Sequence, residues 1–362
     1  MPEGTGWPVA VGLLLGWLGD RLLGDPQRGH PVAAYGRAAT ALERCLYADR
    51  RIDGAVFTAI AVGVPTAAAL ALQRRTPGRP LALMALTAAC AWGALGGRQL
   101  GDVALRIGAA LEAGDVDDAR HLMPWLVGRD PASLDSDAIA RAVVESVAEN
   151  TADAVVGPLV WGVIGGPAGI VAYRAANTLD AMVGHRSDRY RRFGSASARL
   201  DDLANLLPAR LTAALIVVLA PVIGGRPRET WRAWRRDGHR HPSPNAGPVE
   251  AASAGALGVT LGGPVVYGGR QELRGPLGEG PPPGTSDIRR VVHLTSRVGW
   301  WAAVLCALLS VVVGTGRGAG LRPPRAGRPA RLGPVGCSDP ARPGPAGRRP
   351  RRGPPRGGRR AA

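Results

Sequence analysis

Residues 145–153 concentrate side chains that could do chemistry: three carboxylates, an amide and two hydroxyls lie within nine residues. On a helix, Glu145 and Glu149 are one turn apart and share a face. Two carboxylates placed this way repel each other unless a cation or a cationic substrate lies between them. Because carboxylate oxygens bind Mg²⁺ well, the spacing predicts a cation site here. A solvated acidic face at a helix end stays open as the alternative.

Five polar clusters, numbered here in chain order, lie beside apolar segments; residues 145–153 are the second, and the first, third, fourth and fifth are residues 24–31, 173–190, 199–210 and 239–250. Asp25 and His30 each precede a proline, which favours an extended backbone at both positions. Asp201 and Asn205 would lie one helical turn apart at the mouth of an apolar segment, where ionisable groups are functional candidates. Surface turns, and charges that follow the positive-inside rule around Arg186, are the alternatives. The candidate substrate-binding residues are Asp25, Asn150, Arg174, Asn177, Asp180, Arg186, Asp201, Asp202, Asn205, Arg210, Ser243, Asn245 and Glu250.

The helix that carries Glu145 and Glu149 has a recognisable start. Asp135 and its neighbours offer an N-cap, which predicts a helix over residues 138–147 with both glutamates near its C-terminal end. Carboxylates at that end oppose the helix dipole. A bound cation would remove this cost.

The chain has 362 residues, of which 46% are apolar, 20% charged and only 4% aromatic. Its net charge of +17 suggests a nucleic-acid partner. However, twelve arginines and a single aspartate fall in residues 321–362, and the remaining charge is ordinary for a membrane protein with basic loops. The four cysteines form no close pair, so neither a disulfide framework nor a cysteine metal site is indicated.

Apolar segments dominate the organisation of the chain. A spanning helix needs about 20 apolar residues; two or three of the segments qualify easily, and the others could be buried core helices. We therefore predict an all-α polytopic integral membrane protein with long helical polar loops, which covers residues 1–316. Arg, Pro and Gly dominate residues 317–362, which we expect to be a disordered tail. The apolar segments are 7–23, 54–72, 80–97, 154–172, 203–225 and 298–314.

A Gly-Gly-Pro sequence interrupts the apolar segment 154–172. If this segment crossed the membrane, the polar clusters before and after it would lie on opposite sides and could not share a site. We therefore predict two half-helices that enter and return, as is tolerated where the backbone is covered by protein or lines a cavity. Whether segment 203–225 likewise places the polar clusters before and after it on opposite sides of the membrane stays open.

Five long motifs, in order, resemble the CobD/CbiB family of cobalamin biosynthesis, adenosylcobinamide-phosphate synthase. They are G-D-P…H-P-V, E-S-V-A-E-N-T-x-D, Y-R-A-x-N-T-L-D-A-M-V-G-H-R, F-G-x-x-x-A-R-L-D-D-x-A-N-x-L-P-A-R and H-P-S-P-N-A-G. The resemblance runs from about residue 7 to about residue 314. The chain departs from it in the basic tail and at Ala154, where Gly is common.

The resemblance implies a multi-pass enzyme of the bacterial inner membrane that joins adenosylcobyric acid to aminopropanol, or to its O-phosphate, through an amide bond. It also implies ATP, Mg²⁺, the lipid bilayer and, as candidate partners, other membrane enzymes of the pathway; no specific nucleic acid is expected. On this basis Glu145, Glu149 and Asp153 are the catalytic and metal-binding candidates. His30 or His241 would take the proton of the attacking ammonium.

Three other functions stay open at this point. A polytopic transporter of a corrinoid or another small molecule would place polar residues within the spanning segments, whereas here they cluster in long loops. A nucleic-acid-binding protein would depend on the basic tail. A membrane-bound phosphotransferase would suit paired acids near a membrane.

Overall fold

The computed structural model describes residues 6–25, 29–127, 131, 134–185, 187–267 and 270–319. These belong to one compact unit, Met1–Leu321. Nearly all of the predicted tail therefore lies outside the described residues, and its predicted disorder stays a prediction.

Helices make up most of the described chain. The helices are α1 (Gly6–Leu23), α2 (Pro31–Leu46), α3 (Arg51–Gln73), α4 (Pro80–Ala94), α5 (Gly97–Glu112), α6 (Val116–Leu122), α7 (Ser136–Thr151), α8 (Gly157–Leu179), α9 (Tyr190–Phe193), α10 (Ser195–Leu219), α11 (Pro227–Asp237), α12 (Ala246–Leu257) and α13 (Thr285–Ala319). Strands β1 (Leu261–Tyr267) and β2 (Arg270–Leu277) form one antiparallel pair. Sequence analysis did not predict this pair, because its first strand is rich in glycine.

Every predicted apolar segment falls largely on helices, and within the described residues five helical stretches are long and apolar enough to cross a membrane. Their outer faces expose large apolar side chains, among them Val64, Leu207 and Val312, and exposed apolar surface of this extent marks contact with lipid or a partner. The fold is thus that of an α-helical polytopic membrane protein, as predicted. The five stretches are Arg51–Gln73, Pro80–Glu112, Ser136–Gly184, Ser195–Ile223 and Thr285–Gly314.

Small residues let the apolar helices approach closely. Gly12 and Gly16 on α1 face α4, where a Cβ atom on Gly16 would come 2.4 Å from the Cβ of Ala91. Stripes of this kind are typical of helix contacts in membranes. The main core cluster joins buried residues of α1, α4, α8, α10, α12 and α13, and so surrounds the polar site with packed helices.

Helix α8 is a hairpin of two half-helices. Gly166 has φ 63° and ψ −149°, which breaks the helix just before Pro167. Beyond the break, a Cβ atom on Gly157 would lie 2.1 Å from the ring of Tyr173, although an unbroken helix would separate these residues by about 24 Å. The chain therefore turns back, and the predicted pair of half-helices is confirmed.

Helix α7 begins as predicted, because the Asp135 side chain accepts a hydrogen bond from the backbone N–H of Ala138 at 2.8 Å. Its predicted end was wrong. The helix continues beyond Glu149 to Thr151 and enters a π-helical turn, Ala152–Val156, before α8. The glutamates therefore do not face an exposed helix terminus, and the expected cost against the dipole does not arise. A second π-helical turn, Asp180–Gly184, follows α8.

Helix α11 resolves the question left open at segment 203–225. It runs back beside α12, since a Cβ atom on Gly255 of α12 would come 2.7 Å from the Cβ of Ala233 on α11. This return brings Asn245, just before α12, to α10, where its Nδ2 donates to the carbonyl oxygen of Asp202 at 2.8 Å. The fifth polar cluster therefore contacts the fourth.

Candidate functional site

The centre of the site is Asn177, which lies between two carboxylates. Its Nδ2 lies 3.3 Å from Asp153 Oδ2 and 3.3 Å from Asp201 Oδ1. Asp153 comes from the π-helical turn before the α8 hairpin, Asn177 from its returning half, and Asp201 from α10. The hairpin therefore creates the site, because residues 153 and 177 would lie about 36 Å apart in an unbroken helix.

A buried tyrosine, Tyr173, contacts the segments that carry both carboxylates of this centre. The Tyr173 hydroxyl lies 2.7 Å from Asn205 Oδ1 and 3.0 Å from the carbonyl oxygen of Asp153. Asn205 in turn donates to Asp201 Oδ2 at 3.0 Å. Sequence analysis placed Tyr173 in the third polar cluster, where it precedes Arg174, but did not select it as a site residue. Tyr173 therefore links the π-helical turn that carries Asp153 to the part of α10 that carries Asp201.

Further carboxylates surround the centre. The negative charges of Glu149 and Asp180 act on Asp153, and that of Asp202 acts on Asp180 and Asp201. Asp153 and Asp180 each lie in one of the two π-helical turns, a type of turn that occurs frequently at functional sites. The second, third and fourth predicted clusters thus form one acidic site.

Arg174 supplies a positive charge beside these acids. Its Nη1 donates to Asn177 Oδ1 at 3.0 Å, while its buried Nε has no hydrogen-bond partner among the described residues. A guanidinium nitrogen left in this state is suited to a carboxylate or phosphate oxygen.

The first predicted cluster joins the site through Asp25. The charge of Arg174 acts on this carboxylate, and His30 Nε2 lies 3.6 Å from its Oδ2. Burial raises the pKa of Asp25 above its usual value, although His30 and Arg174 oppose the rise. Asp25 is therefore a stronger base than an exposed aspartate.

The two predicted catalytic histidines share one arrangement. Nδ1 of His30 accepts from the backbone N–H of Val32 at 3.1 Å, and Nδ1 of His241 accepts from that of Ser243 at 3.0 Å. A ring nitrogen that accepts carries no proton, which assigns the proton to Nε2. Nε2 of His30 faces Asp25, and Nε2 of His241 lies 3.8 Å from Oε1 of Glu250. As arranged, Nε2 of both histidines lies near a carboxylate, and Nδ1 could take a proton only by releasing the backbone.

The fifth cluster is tied to the fourth through Asn245. Its Oδ1 accepts from Arg210 Nη1 at 2.7 Å, and its Nδ2 donates to the backbone of Asp202. Ser243 Oγ accepts from the backbone N–H groups of Asn245 and Ala246. Ser243 therefore caps the start of α12.

Two predicted residues, Glu145 and Asn150, stand apart from the centre. Glu145 is buried, and its Oε1 accepts from the backbone N–H of Gly262 in β1 at 2.8 Å. Asn150 Nδ2 donates to the carbonyl and hydroxyl oxygens of Ser146 on its own helix. Arg186 lies outside the described residues. The π-helical turn after Thr151 directs Asp153 towards α8 and α10, whereas Glu145 holds the strand pair.

The acidic centre fits Mg²⁺ in the chemistry of its donors. Within the described ranges, no three Asp, Glu, His or Cys side chains are arranged to hold a metal ion. However, Mg²⁺ keeps several waters and is commonly bound by one or two carboxylates together with substrate phosphates. Asp153 and Asp201, which share one amide donor, meet that requirement.

A cavity of about 630 Å³ lies on the other side of the α7–α8 junction, between α1, α5 and α13. Its wall includes Thr151 and Val155 but none of the central carboxylates. Asp20 lines it and accepts from the backbone N–H of Arg98 at 3.2 Å, which caps the start of α5. A second cavity, of about 530 Å³, borders the fifth cluster.

Comparison with known proteins gives a consistent result. The family described as CobD/Cbib protein matches residues 13–295. The chain is 53% identical over 300 residues to the cobalamin biosynthesis protein CobD of Mycobacterium tuberculosis, which covers 83% of this chain and 95% of that protein. Proteins of the same name are 43% identical over 315 residues in Chromobacterium violaceum (84% and 97% covered) and 40% identical over 309 residues in Rhodobacter capsulatus (84% and 96% covered). No solved structure matches the chain.

Proposed function

The chain belongs to the CobD/Cbib protein family, which acts in cobalamin biosynthesis, and from this premise we propose that it is an ATP-dependent amide synthase. The substrates are adenosylcobyric acid and aminopropanol or its O-phosphate. The observation that carries the proposal is the buried acidic centre at Asn177, with a free guanidinium nitrogen of Arg174 beside it. The bilayer in which it acts is the bacterial inner membrane.

The reaction needs activation, because a carboxylate does not condense with an amine in water. In the proposed route, the carboxylate of adenosylcobyric acid attacks the γ-phosphorus of ATP, and ADP leaves. The amine nitrogen then attacks the acyl carbon, and phosphate leaves with the electron pair of the broken C–O bond. The proton of the ammonium passes to a base. The products are the amide, ADP and phosphate.

Named residues account for these requirements. The carboxylates Asp153 and Asp201 hold Mg²⁺, which when bound neutralises phosphate charge. Arg174 directs its unpaired Nε to a phosphate or carboxylate oxygen. Asp25, whose pKa is raised by burial, accepts the proton, and His30 orients it. Glu145 keeps the strand pair on α7 and acts at a distance from the reacting atoms.

The test is a product assay with purified protein in detergent. Adenosylcobyric acid, ATP and Mg²⁺ are supplied with each amine, and the products are identified by mass. Asp153→Asn and Asp201→Asn should each reduce the turnover number by about 10²–10³ and raise the Mg²⁺ concentration for half-maximal rate. Asp117→Asn is the control, since Asp117 is an exposed acid on α6 that pairs with Arg120.

Several outcomes would contradict the proposal. Full activity in both site variants would exclude the metal assignment. Corrinoid counterflow into vesicles without product would indicate a transporter, and phosphorylation without an amide would indicate a phosphotransferase.

A further inference from the structure

The cavity of about 530 Å³ beside the fifth cluster has an unusual charge. It lies between α10, α11 and the loop before α12, and its volume is within the roughly 300–1,000 Å³ of small-molecule sites. Every ionisable residue in its wall is basic: Arg210, Arg235, His239 and His241. Trp234 adds an aromatic wall. The cavity therefore favours an anion.

Nearby acids do not cancel this charge at the wall. Asp237 has a fully buried side chain that pairs with Arg236 and Arg240. Glu250 is also fully buried and lies behind His241, at 3.8 Å from its Nε2. Neither carboxylate lines the cavity, and each lies beside basic side chains.

Two hydrogen bonds through Asn245 connect the cavity wall to the segment that carries part of the acidic centre. Arg210 lines the cavity and donates to Asn245 Oδ1, while Asn245 Nδ2 donates to the backbone of Asp202. Asp202 is an electrostatic neighbour of Asp201. Asn245 thus connects the wall of the basic cavity to the part of α10 that carries Asp201 and Asp202.

We infer that this basic cavity binds the phosphate groups of a phosphorylated substrate, either ATP or aminopropanol O-phosphate. The inference rests on the proposed function and divides its site into two parts. Phosphate oxygens lie against Arg210 and Arg235, where guanidinium groups form paired hydrogen bonds to them. Cationic groups, the amine and the metal, lie against Asp153 and Asp201.

Equilibrium binding to the full-length protein in detergent tests this inference. The probes are ATP, aminopropanol O-phosphate and free aminopropanol. Arg235→Gln should weaken binding of at least one phosphorylated probe by about 10- to 100-fold and leave free aminopropanol unaffected. Arg232→Gln is the matched control, because Arg232 is an exposed arginine on the same helix that does not line the cavity. Arg210→Gln is a second variant within the wall.

The two probes identify the source of the phosphate. Loss confined to ATP assigns the cavity to the nucleotide, and loss confined to aminopropanol O-phosphate assigns it to the amine substrate. Unchanged binding of both in Arg235→Gln and Arg210→Gln overturns the inference. If that happens while the wild type forms the amide, only the inference fails; phosphate binding without any amide product would instead refute the proposed function.

Discussion

Gly166 forms the turn on which the acidic centre depends, and replacing it by alanine is the most direct test of the fold. Its φ of 63° and ψ of −149° lie close to a region that is essentially restricted to glycine, where another residue costs about 1–3 kcal/mol. A Cβ atom would also lie 3.1 Å from Gln73 Nε2. The Gln73 amide accepts from the backbone N–H of Ala168, and losing that bond costs about 0.5–1.5 kcal/mol. Gly166→Ala should therefore destabilise the protein by about 2–4 kcal/mol.

Activity should fall as well. Relief of the strain re-aims the two half-helices, so Asn177 moves relative to Asp153, and a displacement of about 1 Å at a reacting site costs on the order of 10²-fold in rate. Thermal unfolding in detergent and the amide-forming assay measure the two effects on one preparation.

The adjacent glycine is the control for this experiment. A Cβ atom on Gly165 would meet nothing within 4 Å, and its φ is not positive. Gly165→Ala should therefore be neutral, or stabilise by about 0.4–1 kcal/mol through the unfolded chain. Equal unfolding temperatures and equal rates in the two variants would refute the claim that a left-handed turn at Gly166 builds the site.

Two further predictions concern pH and stability, both measured as apparent unfolding temperature against pH. Burial alone would raise the pKa of Asp237, but hydrogen bonds from Arg236 and the backbone N–H of Gly278 lower the pKa overall. The ionised Asp237 therefore stabilises the folded protein above its ordinary pKa of 3.8, and this stabilisation is lost as the pH falls below that value. Asp237→Ala should cost about 1–3 kcal/mol at neutral pH, because it leaves the backbone N–H of Gly278 without its acceptor while Arg236 and Arg240 stay partly exposed to solvent. An unchanged unfolding temperature there would contradict this. For Asp25, whose pKa is raised, the folded protein holds the proton more tightly, so stability decreases as pH rises from 3.8 towards neutrality. Asp25→Asn should remove that decrease, and an identical slope in the variant would refute it.

Local signals in the sequence were sufficient for the helices. Apolar segments of spanning length, an aspartate N-cap at Asp135 and a Gly-Gly-Pro break each act within a few residues, and all three appear in the structure as expected. The strand pair was missed because Gly262 and Gly263, both at positive φ, have little strand propensity.

The roles of individual residues within the site were harder to predict from the sequence. Glu145 and Glu149 are both glutamates and lie one helical turn apart, yet they have different surroundings: the charge of Glu149 acts on Asp153 and Asp180, whereas Glu145 accepts a hydrogen bond from Gly262. The direction of Glu145 depends on Gly262, which lies more than a hundred residues away in the chain. The position of Tyr173 likewise has meaning only once Asn205 and the backbone of Asp153 are beside it.

The sequence by itself determined the class of protein, the helices, the turn at Gly166 and the five polar motifs, since each rests on residue type and short-range spacing. Only the tertiary structure decided which motifs meet. Two π-helical turns and the return of α11 set the directions of Asp153, Asp180 and Asn245. Backbone N–H groups donate to Nδ1 of both histidines, which leaves Nε2 of each near a carboxylate. Such outcomes depend on contacts between distant segments, whose geometry is fixed when the apolar helices pack.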